Sequence, residues 1–303
     1  MPAIATVNTL PDRVGEEPLA APAVHHDVLT AVCPQRSGVV AAITRFLLDH
    51  GLDIEEHQQF DDRVSGQVYL RTAFTGRTGA LAQLRAEFVP VADSLGMTAE
   101  LHDSTRPRAL VMVSRLGHCL NDLIFRWRSG SLGVDIAAVA SNHTVLEPMA
   151  RAAGLPFIHV PVTATTKPEA ERRLLELVAE HDADLVVLAR YMQVLSDDLC
   201  TRWAGRAINI HHSFLPGFKG ARPYQQAYDR GVKLVGATAH YVTADLDEGP
   251  IIEQEVIRVD HSQDPAALAT IGRDAEALAL SRAVSWHGQH RVLLNGSSTV
   301  VFR

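Results

Sequence analysis

The run Ala207-Ile208-Asn209-Ile210-His211-His212-Ser213-Phe214-Leu215-Pro216 ends an apolar, β-prone stretch with an amide and two imidazoles, then turns through proline. In an extended segment, residues two apart leave the same face. Asn209 and His211 therefore aim at one volume, and His212 is expected to face away from it. Further on, His240 lies on a second extended run, and Asp245, Asp247 and Glu248 follow in the loop before Gly249-Pro250. An amide donor, an imidazole and a loop carboxylate suit acyl transfer. The amide can hydrogen-bond a carbonyl oxygen as it becomes an oxyanion. The imidazole can share that charge or move a proton. The carboxylate can hold the imidazole tautomer and accept a proton from the incoming nucleophile. Taken singly, each residue also has an ordinary reading: a strand-end cap, a satisfied core histidine, a turn aspartate. No GxSxG occurs, and Cys119 and Cys200 read as small core residues. Transfer should then go directly to an external nucleophile, without a covalent intermediate.

These residues need elements to hold them. From residue 108 onward, short aliphatic runs (LVMVS, DIAAVAS, FIHVPV, DLVVLAR, AINIHH) alternate with helical patterns near 117–129, 143–153, 167–181 and 196–204. That alternation predicts an α/β domain at 108–303, a Rossmann-like, mostly parallel sheet with helices on both faces. Its ligands should collect beyond the carboxyl ends of the strands, where Ser114-Arg115, Arg190-Tyr191 and Asn209 to Ser213 stand. Extended runs VGATAHYV and PIIEQEVIRV, a long helix from about Pro265 to Trp286 and an extended tail complete it. Residues 27–103 read as a separate β-α-β-β-α-β unit of ferredoxin-like order, with Ser37 as the first helix's N-cap and Gly51 its stop. Residues 104–107 are a linker, and 1–26, rich in proline and small residues, a flexible tail.

Composition narrows the function. The 303 residues are 47% hydrophobic and 21% charged, with net charge -7, pI 6.1 and mean hydropathy +0.02. The acidic balance and the lack of a Lys/Arg run argue against nucleic acid. No apolar stretch reaches the roughly 18 residues that span a bilayer, and the N-terminus has no secretory pattern. Three widely spaced cysteines, Cys33, Cys119 and Cys200, fit a reducing cytoplasm better than a disulfide framework. CxxC, HExxH, GxGxxG and GxxxxGK[ST] are all absent, so neither a metal nor a nucleotide cofactor is expected.

NIHHSFLPGFKGA followed by GATAHYVTADLDEGPIIEQ resembles the paired signatures of the 10-formyltetrahydrofolate-dependent formyltransferases, and Ala189 to Ser196 resembles the loop whose backbone holds the pterin ring. The resemblance puts the family's catalytic Asn, His and Asp on Asn209, His211 and Asp247. It puts the substrate on Arg190, Tyr191, Met192, Gln193 and Val194, with His118 and His240 nearby. Where the transferases carry a Gly/Ser-rich phosphate loop, this chain has bulkier side chains, and Ser114 to Leu123 is similar to the SxxxHCLxDL segment of the formyltetrahydrofolate deformylases. CPQRSGVVAAITRFLLDHGLDI is similar to the start of an ACT domain, as those enzymes carry, so residues 27–103 resemble one.

The implied reaction is hydrolysis of 10-formyltetrahydrofolate to formate and tetrahydrofolate. Asn209 and His211 would stabilise the oxyanion, while Asp247 orients and deprotonates the water and tunes His211. The implied partners are the folate substrate and further copies of the chain, as a dimer or tetramer. The ACT unit is read either as an amino-acid sensor, with Gly38 at its ligand-facing helix start, or as a dimerising unit. Lys219 and Arg222 would attract folate glutamates or form a surface pair. The rival readings are an amine-dependent formyltransferase, a metallohydrolase using His211, His212, His240 and Asp247, and a non-catalytic folate- or amino-acid-binding protein.

Overall fold

Val39, Ile43, Phe46 and Leu47 fall on one side of a helical repeat, and all four are buried against a sheet. The computed structural model in which they do so describes residues 25–76, 81–217 and 223–303; Lys219, Arg222 and the first 24 residues of the expected tail lie outside the described residues. The first unit runs β1 (His25–Pro34), α1 (Val39–Asp49), β2 (Asp53–Asp62), β3 (Gln67–Gly76), α2 (Leu81–Leu95) and β4 (Thr98–His102). Its strands form an antiparallel sheet in the order β2-β3-β1-β4. Leu84 and Phe88 of α2 join the α1 residues over Leu29, Leu70, Phe74 and Leu101. Gly51 ends α1 in the left-handed region (φ 68°) as expected. The N-cap is Gly38 rather than Ser37, because the chain enters α1 at φ 90°, which only glycine adopts without strain.

The second unit comprises β5 (Arg108–Val113), α3 (His118–Arg128), β6 (Asp135–Ser141), α4 (Glu147–Ala152), β7 (Phe157–His159), α5 (Lys167–Glu180), β8 (Leu185–Leu188), α6 (Asp197–Arg202), β9 (Ala207–His211), α7 (Pro223–Asp229), β10 (Leu234–Tyr241), β11 (Ile251–Arg258) and α8 (Pro265–Gly288). Among the described residues the sheet order is β11-β10-β9-β8-β5-β6-β7. The strands β7, β6, β5, β8 and β9 are parallel, and β10 runs antiparallel to both its neighbours, β9 and β11. Both faces are covered, which is why β5 reads as an unbroken apolar run. Leu110 and Met112 enter one core with Leu174, Leu177 and Trp203. Val111 and Val113 enter the other with Leu120, Leu123, Leu280 and Val284. The strand order reverses between β5 and β8, and a cavity lies beside that point, beyond β8 and β9.

The extended tail is a hairpin, β12 (Val292–Asn295) and β13 (Ser298–Val301), that returns to the first sheet. Leu293 and Phe302 pack on Tyr69. Arg291 donates to Glu56 (2.9 Å), Asn295 to Asp62 (2.9 Å), and buried Arg71 to the carbonyl of Gln289 (3.1 Å). The two units are thus strapped together by the C-terminal residues.

Candidate active site

Asn209 and His211 are the third and fifth residues of β9, and both line a cavity of about 250 Å³. Its other walls are the 190–195 loop after β8 and the 242–247 loop after β10, with His240 and His212 between them. In β10, His240 pairs with Asn209 across the sheet, next to a bulge at Ala239/His240 that re-aims the side chain. Asp247 comes from the loop after it, at φ 58°, a left-handed conformation that aspartate tolerates better than most residues. Gly249 lets that loop close. A Cβ there would lie 1.7 Å from the Tyr241 carbonyl oxygen, while Tyr241 N–H donates to the Pro250 carbonyl at 2.9 Å.

The hydrogen bonds fix tautomers. His240 Nδ1–H donates to the Tyr241 carbonyl (2.8 Å), so its neutral Nε2 accepts from the Asn209 amide (3.2 Å). One amide N–H of Asn209 is then spent on orientation, and the second is left for a ligand. His211 Nδ1 lies 3.2 Å from Asp247 Oδ2, and its Nε2 is buried without a partner. Asp247 Oδ1 stands 3.8 Å from His240 Nε2. Burial pushes the Asp247 carboxyl up, but the His211 N–H bonded to it, with the adjacent His240 ring, outweighs this and holds the group well below the usual carboxylate range. Asp247 is therefore ionised at any working pH and carries the negative charge of the site. Such an arrangement presents an oriented amide N–H and an Asp-held imidazole to the same small volume.

The 190–195 loop is tied from beneath. Met192 N–H donates to Ser114 Oγ (3.0 Å), Ser114 Oγ donates to Asn142 (2.6 Å), and Ser196 N–H donates to Glu171 (2.9 Å). Tyr191 is buried, whereas Met192 and Val194 are exposed around the cavity mouth. Arg190 turns inward at φ 66°, with Nε 3.3 Å from Glu276 Oε2. His118 does not line the cavity; its Nε2 bonds Glu276 at 2.7 Å. His212, one residue past the strand, packs on Tyr224 and also lines the cavity, so the alternation that set it apart from His211 stops at the strand end. Burial, then the charges of Arg190 and His211, push its pKa down to about 4. Glu276 and Tyr224 escape the motif reading. One signal was available: Glu276 falls on the buried stripe of α8 with Gly272, Ala275, Ala279, Leu280 and Ala283, where a lone acid calls for a partner.

Residues 107–284 match the formyl transferase family. The chain is 50% identical to a formyltetrahydrofolate deformylase of Corynebacterium sp. (strain P-1), over 91% of this chain and 98% of that one. The chain belongs to the formyltetrahydrofolate deformylase family. A crystal structure of the deformylase from Burkholderia mallei superposes with a TM-score of 0.88 at 52% identity, covering 92% of this chain and all of that one. The family's fold extends beyond deformylases. A glycinamide ribonucleotide transformylase of Symbiobacterium toebii matches 66% of this chain and 95% of its own, at 29% identity and a TM-score of 0.62. Among the described residues, no helix is long and apolar enough to cross a membrane.

Proposed function

We propose that the protein hydrolyses 10-formyltetrahydrofolate to formate and tetrahydrofolate, and that Asn209, His211 and Asp247 carry the reaction. The observation that carries this reading is the convergence of the Asn209 amide and the unpartnered His211 Nε2 on one cavity, with Asp247 bound to the far side of that imidazole. The pterin lies against the backbone of residues 191–194. The formyl oxygen accepts from Asn209 Nδ2–H and, when His211 is protonated, from its Nε2–H. The Asp247 carboxylate orients a water and takes its proton as the oxygen bonds to the formyl carbon. Held low by its partners, Asp247 is a weak base at rest, so this transfer keeps step with C–O bond formation. The C–N10 bond then breaks, N10 takes the proton, and formic acid leaves and ionises.

Purified protein with 10-formyltetrahydrofolate and no amine should release formate and tetrahydrofolate in equal amounts; strict dependence on an added amine would replace hydrolysis with transfer. The scheme uses no metal and no cofactor, so turnover should survive exhaustive chelation, and loss with rescue by a divalent cation would overturn that part. We read the protein as cytoplasmic, in keeping with three buried, unpaired cysteines. Homo-oligomerisation fits the outer edge of β2, which among the described residues pairs with no further strand. The ACT-type sheet serves as an amino-acid sensor or an assembly surface.

A further inference from the structure

The hydrolytic scheme rests the pterin on the backbone of residues 191–194 and gives the guanidinium just before them no task. Arg190 lines the cavity with Asn209, His211 and Asp247, and among the described lining residues it is the one lysine or arginine. It holds φ 66°, a conformation rare for residues other than glycine, asparagine and aspartate, and such outliers cluster at active sites. The ladder between β8 and β9 ends at the pair Leu188 and Asn209. Arg190 and His211 each follow by two residues, so they stand at the same height on neighbouring segments. The Arg190 side chain is 9% exposed, and its Nε and Nη1 are buried without a hydrogen bond. Nε is ion-paired to Glu276 Oε2 at 3.3 Å. That carboxylate takes its hydrogen bonds elsewhere, Oε2 from His118 Nε2–H at 2.7 Å and Oε1 from the Tyr224 hydroxyl at 2.8 Å. Burial raises the Glu276 carboxyl, yet these partners and the charge of Arg190 bring it down overall, so it stays ionised. Glu276 therefore fixes the guanidinium and offsets its charge without taking up its donors.

A buried guanidinium with free N–H groups calls for an acceptor. A planar carboxylate matches its fork best, through two parallel charge-assisted hydrogen bonds. Hydrolysis makes one such group inside the cavity, namely formate. Its charge needs a cation there, because Asp247 is already ionised in the same space. Resting on the hydrolytic reading above, we infer that Arg190 is the formate-binding residue, its free N–H groups receiving the product carboxylate at the wall beside His211. As the C–N10 bond breaks, N10 takes the proton that Asp247 removed from the water, and formic acid gives its own proton to solvent. The anion then exchanges the oxyanion donors, Asn209 and His211, for the guanidinium. That move separates the carboxyl carbon from N10 and frees the oxyanion donors for the next substrate.

The test is formate binding, measured apart from turnover. Sodium formate titrated at constant ionic strength into the protein saturated with tetrahydrofolate should bind at one site per chain in calorimetry. A crystal of the same mixture should hold formate oxygens within hydrogen-bond distance of Arg190. Arg190→Lys keeps the charge that Glu276 needs but loses the fork. It should raise the Kd of formate, and formate's inhibition constant as a product, by about tenfold, the scale of one charge-assisted hydrogen bond. KM for 10-formyltetrahydrofolate should stay at the wild-type value. A role confined to anchoring Glu276 would leave both formate constants unchanged, and that result in a folded variant would overturn the inference. A parallel rise in KM would mark a distorted pocket and overturn it equally. So would a wild type that binds no formate or seats it away from Arg190, a result that needs no variant to fold. Formyl loss strictly dependent on an amine would instead contradict the hydrolytic reading, and this inference with it.

Discussion

At the scale of single residues, Asn209 is the sharpest probe. Its amide bonds the Nε2 of His240 and keeps one N–H, which the proposed scheme gives to the formyl oxygen. Asn209→Ala should lower kcat by about 10²–10³ and leave KM nearly unchanged, as loss of one oxyanion donor does elsewhere; a drop under threefold in steady-state kinetics would remove it from the mechanism. Asp247 sets a pH expectation. Its folded pKa is depressed, so the ionised form persists below the ordinary carboxylate value of 3.8. The stability it contributes is present above that value and is lost as pH falls through the lower, folded one. Any acid limb of kcat/KM between pH 5 and 8 should therefore be assignable to another group, and its persistence in a residually active Asp247→Asn variant would check this. Asn209, His211 and Asp247 could be picked from the sequence because strand alternation and motif spacing are local. Glu276 showed only as a lone acid on a buried helical stripe, and Tyr224 not at all, since their partners come from segments remote in the chain.

At the scale of elements, the loop after β10 is the fragile part. Gly249 stands where any Cβ meets the Tyr241 carbonyl, and Asp247, two residues earlier, already occupies a left-handed conformation. Gly249→Ala must push the loop off β10 and draw Asp247 from His211. Activity should fall by about a hundredfold, the cost of an ångström-scale misplacement, with the melting temperature also reduced; retention of wild-type kcat would show that the loop does not set the carboxylate. Most strands and helices were legible because apolar periodicity is read within one segment. The helix entry at Gly38 and the extra helix α7 were not. A glycine's positive φ, like the partner that stabilises a short helix, is settled by three-dimensional context.

At the scale of the molecule, the two sheets meet through histidines. His102 and His290 stack at 3.7 Å with planes 10° apart, and His287 Nδ1 is hydrogen-bonded to the Tyr241 hydroxyl at 2.7 Å. Burial pushes His287 down to about 4; burial and the charge of His102 push His290 down to about 3. Below pH 6.5 the unfolded chain binds protons that the folded junction refuses. Stability is then complete above pH 6.5 and falls as pH drops toward 4 and 3. Calorimetry between pH 7 and 4 should show a falling melting temperature, with a shallower slope in His290→Gln; equal slopes would remove His290 from the junction's pH response. The tail that closes this junction read as merely extended, because a hairpin's partner sheet leaves no trace in the hairpin's own residues.

The central claim is that water attacks the formyl carbon. Turnover of 10-formyltetrahydrofolate in ¹⁸O-labelled water, without amine, followed by mass analysis of the formate, tests it most directly. The account predicts one labelled oxygen in each formate, the other coming from the formyl group. Formate without label, or formyl loss only when an amine is present, would contradict it.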